Sequence, residues 1–143
     1  MVILGVGNEL RGDDSLGSFF IKELENNIAK HENVILLNGG LAPENFTGLI
    51  KKENPSHLII VDAALMEAEP GTIKFINKEN IANISTSTHS MSLSFLVKYL
   101  EESIDFKLML VGVEPLNMNL GEKLSKKVLI SVEYLKNLFV SVL

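Results

Sequence analysis

The sequence predicts an α/β domain built on a mostly parallel, mixed five-stranded sheet with helices on both faces. Three observations carry this expectation. Short apolar runs alternate with longer amphipathic stretches along the whole chain, which is the pattern of βαβ units. The first run gives way at once to a glycine loop, GVGNELRGDD at residues 5 to 14, as where a strand turns straight into a helix. The run LIIV at residues 58 to 61 has no polar alternation and suits a strand covered on both faces.

Taken in order, Val2–Val6 is the first strand. From Asp14 to about Ala29, the residues Leu16, Phe20, Leu24 and Ile28 recur every four positions and mark one face of a helix. Val34–Leu37 is the second strand, closed by Asn38-Gly39-Gly40, and Pro43 suits the first turn of a helix running to about Lys52. Leu58–Val61 is the third strand, with Asp62 at its end. Glu69-Pro70-Gly71 signals a turn into a fourth strand, Thr72–Ile76. These two strands lie too close in sequence for a crossover helix, so they read as antiparallel neighbours. Ser90 can cap a helix from Met91 to about Glu102, with Leu93, Leu96, Val97 and Leu100 inward. Phe106–Val111 is the fifth strand, ending near Gly112. A last helix from Glu122 to about Phe139 buries Leu124, Val128, Val132, Leu135 and Phe139.

Composition narrows the function. The chain has 143 residues, a one-domain length, and at 46% hydrophobic residues it has enough apolar material for a packed core. Residues 1–143 are therefore expected to form a single domain. A net charge of −5 without a basic block argues against nucleic-acid binding. No apolar run approaches the roughly 20 residues that span a bilayer, and MVILGVGNEL does not read as a signal peptide. With no cysteine, the chain has no disulfide, thiolate metal site or thiol nucleophile. A monomeric cytoplasmic protein is the expectation.

The glycine loop is not a phosphate cradle. Gly5 and Gly7 fit a dinucleotide fingerprint, but Leu10 stands where its third glycine belongs. Gly7 and Gly12 have P-loop spacing, but Asp13-Asp14 occupy the Lys-Ser/Thr positions and would repel phosphate. Either aspartate can serve as a helix cap, or the loop can present a carboxylate to a cation. In open α/β sheets the functional crevice lies beyond the carboxyl ends of the strands. That rule singles out Asp14 after the first strand, Asp62 after the third and His89 in the polar loop STSTHS. Asp62 can instead accept hydrogen bonds from the next turn, and His89 can be a solvated loop residue. Two carboxylates and an imidazole form a plausible three-ligand site for zinc, nickel or iron. His31 and His57 lie in charged or turn segments and read as surface residues.

At these residues the chain resembles the hydrogenase maturation proteases, endopeptidases that process the large subunit of nickel–iron hydrogenases. Five blocks carry the resemblance: GVGNELRGDDSLG at 5 to 17, NGGLAPEN at 38 to 45, LIIVDA at 58 to 63 with PGTI at 70 to 73, STHSMSL at 87 to 93, and VGVEP at 111 to 115. The resemblance implies a single three-layer α/β/α domain with a mixed, twisted sheet. It implies that Asp14, Asp62 and His89 are metal-binding and catalytic residues, and that nickel, carried by the substrate, is the recognition signal. Asp13 would cap a helix or orient the loop, and Gly39 and Gly40 would let the substrate tail approach the backbone. Asn38 stands where many relatives have aspartate, which removes a charge and a good ligand. Lys126 follows Leu124-Ser125 where many relatives have proline, a change that bears only on the helix start.

The implied reaction is removal of a C-terminal extension from a large-subunit precursor after nickel insertion, by metal-assisted attack of water. No G-x-S-x-G elbow or H-E-x-x-H helix offers another route, although a serine nucleophile stays open. Three alternatives stand beside it: a nickel-sensing protein that docks without cutting, a metal-dependent peptidase with other substrates, and a plain nucleotide-binding domain. Leu10 and Asp13-Asp14 disfavour the last.

Overall fold

In a computed structural model of the chain, which describes residues 1–29, 31–83, 85, 86 and 90–143, the main sheet has five strands. They are β1 (Val2–Val6), β2 (Ile35–Gly40), β3 (His57–Leu65), β4 (Ile73–Asn77) and, after a two-residue β5 (Ser85–Thr86), β6 (Lys107–Val113). The strand order is β2-β1-β3-β6-β4, with β5 paired to β3 off this path. The first four strands are mutually parallel and β4 runs antiparallel to β6, so the sheet is mixed and mostly parallel, as expected.

The alternation of side chains along each strand builds two cores. Val2, Leu4 and Val6 of β1, with Leu58 and Ile60 of β3, pack on one face against Ile50 of α2 (Thr47–Glu53) and Leu93, Leu96 and Leu100 of α3 (Ser90–Glu101). Ile3, Val61 and Ala63 pack on the other face against α1 (Leu16–Asn27) and α4 (Lys126–Val142). There Phe20 of α1 meets Phe139 of α4 edge to face, ring centroids 5.2 Å apart. No helix among the described residues is long and apolar enough to cross a membrane.

Four expectations need correction. β4 is not a neighbour of β3, because β6 enters between them, with Asp62 opposite Gly112 and Ile76 opposite Leu110. A turn signal fixes where the chain reverses, not which later strand fills the space. β3 does not end at Asp62: Ala63 still pairs with Val113, and Ala64 and Leu65 pair with β5. α4 begins at Lys126 rather than Glu122, with Ser125 as its N-cap. The Asn38-Gly39-Gly40 segment belongs to β2 itself and does not follow it.

Candidate active site

At the carboxyl end of β1 the chain must turn back onto the sheet within a few residues, and glycine makes that turn possible. Gly7 has φ +139°, and a Cβ there would lie 1.8 Å from the Asp14 carbonyl oxygen. Its N–H donates to the Gly40 carbonyl at 3.0 Å, tying the loop to β2. The chain then forms a 3₁₀ turn, Gly12–Ser15, that runs into α1. The first turn of α1 rests directly on backbone. A Cβ on Gly5 would lie 2.2 Å from the Gly17 carbonyl oxygen, and one on Gly17 would lie 2.3 Å from the Val6 carbonyl oxygen and 2.5 Å from that of Val61. Bare backbone at both positions brings the 12–15 turn down onto the ends of β1 and β3.

That turn carries Asp13 and Asp14, both buried. With three residues per 3₁₀ turn, successive side chains diverge by about 120°. Asp13 points to the connection between β6 and α4. Its Oδ2 accepts from the Leu116 N–H at 2.9 Å, the Asn117 N–H at 3.1 Å and the Ser125 hydroxyl at 2.9 Å. Its Oδ1 accepts from the Ser125 N–H at 2.7 Å. Asp14 turns the other way, and its Oδ2 accepts from the Asn8 N–H at 3.1 Å.

Asp62 sits within β3 at 0% exposure, on the same face of the strand as Leu58 and Ile60. Neither carboxylate oxygen has a hydrogen-bond partner among the described residues. Burial pushes its pKa well above the ordinary value of 3.8, and the negative charge of Asp14 pushes it further. The Ala63 backbone N–H acts weakly in the opposite direction without reaching hydrogen-bond geometry. The charge of Asp14 thus bears on Asp62, so the fold holds these two carboxyls in one neighbourhood. His89 lies outside the described residues, and no group of three metal-ligating side chains forms among those described.

Asn38 is exposed at the end of β2 and belongs to a separate polar group. The buried Ser18 hydroxyl donates to its Oδ1 at 2.7 Å, and its Nδ2 donates to Glu9 Oε1 at 3.4 Å. Lys22, paired with Glu9 at 2.8 Å, is the main reason the Glu9 carboxyl is held below its usual range, and Asn38 adds to it. Gly39 is buried, where a Cβ would press on Leu4 and Gly5. Gly40 has φ +52°, and a Cβ there would meet nothing within 4 Å.

Sequence reasoning missed two anchors. Glu114 is buried and accepts from the Met66 and Ala68 N–H groups, fixing the loop after β3. Its position directly after the apolar run LMLVGV was the available signal. Ser125 offered no local signal for its bond to a residue 112 positions away. His31 and His57 are exposed, as read from the sequence.

The model of the hydrogenase maturation protease family matches residues 20–141. The chain is 39% identical over 121 residues to a putative hydrogenase maturation protease of Methanocaldococcus jannaschii, covering 80% of this chain and 72% of that protein. It is 36% identical to the hydrogenase 3 maturation protease of Escherichia coli, with the same coverage of 80% and 72%. Among solved structures, the hydrogenase maturating endopeptidase of Escherichia coli superposes with a TM-score of 0.86 at 28% identity, covering 99% of this chain and 90% of that one. A nickel–iron hydrogenase maturation protease of Thermococcus kodakarensis superposes with a TM-score of 0.85 at 27% identity and the same coverage, 99% and 90%.

Proposed function

The chain belongs to the hydrogenase maturation protease family, and from that premise we propose that it removes a C-terminal extension from the large-subunit precursor of a nickel–iron hydrogenase after nickel insertion. The observation that carries the chemical part of this reading is Asp62. A buried carboxyl with two unpartnered oxygens is a costly arrangement in a core. It makes sense where a ligand completes it.

The residues present fit a divalent cation. Asp62 offers two free oxygens and Asp14 stands close by, a donor set that suits nickel once an imidazole joins it. Asp14, Asp62 and His89 would hold the nickel carried by the precursor. Thr86 pairs with Ala64, two positions beyond Asp62, and three residues of chain, at most about 11 Å, separate Thr86 from His89. Bound there, the ion supplies Lewis-acid polarisation of the scissile carbonyl.

The side chains supply binding, placement and proton storage. Burial and Asp14 both oppose ionisation of Asp62, which favours its protonated form when no cation is bound. Release of that proton accompanies cation binding, so loading weakens as the medium becomes more acidic. The open backbone at Gly40 receives the extended tail. The carboxyl of Asp14 stays beside Asp62, placed by the 12–15 turn.

The test is cleavage of purified precursor with and without inserted nickel, the fragment being weighed by mass spectrometry. A cut only in the nickel-loaded sample is the expected result. Equal cutting of both samples would keep the protease and overturn the role of substrate nickel. Binding without cutting would replace the protease by a nickel-sensing docking protein.

A further inference from the structure

Asp13 is the most heavily bonded side chain in the neighbourhood of the candidate site, yet none of its bonds points into that site. Its carboxylate gathers the N–H groups of Leu116, Asn117 and Ser125 and the Ser125 hydroxyl. Backbone bonds reinforce the same junction: Asp13 N–H to the Asn117 carbonyl at 2.9 Å, Gly12 N–H to the Glu122 carbonyl at 3.1 Å, and Gly121 N–H to the Leu10 carbonyl at 2.8 Å. Both glycines there have positive φ, +49° at Gly12 and +83° at Gly121, so the crossing of the two segments relies on conformations that other residues adopt poorly. The far partner of this junction is the N-cap of α4, whose hydroxyl also accepts from the Val128 N–H.

A purely structural account would make Asp13 a staple for the start of α4. The geometry supports more. Asp13 and Asp14 share one 3₁₀ turn, so pinning the first sets the rotation of the second about the turn axis. Gly5 and Gly17 fix how deeply α1 sits on the sheet, and the Asp13 bonds hold the 12–15 turn from the other side, against the β6–α4 connection. We infer that Asp13 is a positioning residue: by clamping residues 116, 117 and 125 it holds the 12–15 turn at the rotation that keeps Asp14 on the Asn8 N–H and beside Asp62. The β6–α4 connection thereby becomes part of the reaction machinery without touching substrate. The kinetic consequence rests on the proposed protease function; the geometric one does not.

The test compares Asp13→Asn with Val132→Ala. Asparagine keeps the shape but turns an amide toward donors, whereas the Val132 substitution opens a cavity under α4 without touching the clamp. In Asp13→Asn, kcat for precursor cleavage is expected to fall about 100-fold with KM nearly unchanged, the scale of a small misplacement of a reacting group. Val132→Ala is expected to keep its kcat. Ser125→Ala removes one of the four bonds and should lower kcat in the same direction by less, and it serves as the test if Asp13→Asn does not fold. Amide exchange supplies a readout that needs no activity: protection at Asn8 is expected to drop in the clamp variants and to persist in Val132→Ala. Wild-type kcat in Asp13→Asn, or an equal loss in Val132→Ala, overturns the positioning role. If the wild-type protein cuts no precursor, the protease reading fails by itself. Unchanged Asn8 exchange in the clamp variants would then overturn the clamp, and loss of protection would uphold it.

Discussion

Asp13 and Asp62 are both 0% exposed and both reach the same end of the sheet, yet among the described residues the first accepts four hydrogen bonds and the second accepts none. Equal burial thus has opposite meanings. Around Asp13 the fold supplies backbone N–H groups and a hydroxyl, the usual way to keep a carboxylate inside a protein. Around Asp62 it supplies apolar strand neighbours and a second acid, which push its pKa well above the ordinary value. The satisfied acid holds the architecture. The unsatisfied one is where we propose that a ligand completes the site.

The largest effect that would sharpen this contrast is on activity. Asp62→Asn is expected to lose at least about 100-fold in precursor cleavage, by loss of a ligand and proton carrier, while the protein stays folded. Cleavage near the wild-type rate would break the comparison by making Asp62 a passive buried acid. Stability should respond in the reverse sense. Asp13→Ala leaves three backbone N–H groups and a hydroxyl without their acceptor and should lose about 3 kcal/mol or more in urea unfolding. A loss below about 1 kcal/mol would mean that water replaces the carboxylate easily.

Asp62→Asn is then expected to match or exceed wild-type stability at neutral pH, and the sign follows from linkage. The folded-state pKa of Asp62 is raised above its ordinary 3.8, so its proton is bound more tightly in the folded chain. Its contribution to stability is complete below about pH 3.8 and is lost as pH rises through the folded value. The advantage of Asp62→Asn should therefore grow from pH 4 upward in urea titrations. An advantage that shrinks over that range would contradict a raised pKa. A smaller effect belongs to Glu114→Ala, expected to lose about 2 kcal/mol because the Met66 and Ala68 N–H groups lose their acceptor. Smallest is Lys22→Ala, whose exposed pair with Glu9 should shift unfolding by no more than about 0.5 kcal/mol.

Much of this was legible in the sequence, for identifiable reasons. The runs VILGV and LIIV announce covered parallel strands, and the four-residue spacing from Leu16 to Ile28 announces α1. The acid that breaks the apolar run at Asp62 stands out because little else explains it there. What stayed hidden depends on distant partners. Leu124 continues the apolar spacing of α4 backward, but Asp13 takes the Ser125 N–H and delays the helix to Lys126. The insertion of β6 between β3 and β4 is decided by pairing across 32 to 50 residues, beyond any local pattern. For Asp13 and Asp14, side by side and alike, residue type could not assign the roles. The strand-end rule and the family pattern point to Asp14, and the 3₁₀ turn supplies the physical reason, by aiming the two side chains apart.

The seat of α1 on Gly5 and Gly17 has a mechanical consequence. Side chains between packed elements yield by changing rotamer, which lets a core absorb small changes of volume. Where backbone meets backbone, as the carbonyls of Val6 and Val61 meet Gly17, no such adjustment exists. This contact has no side chain through which to yield. Hydrostatic pressure would close the aromatic packing between Phe20 and Phe139 before it brought the 12–15 turn any nearer to β3.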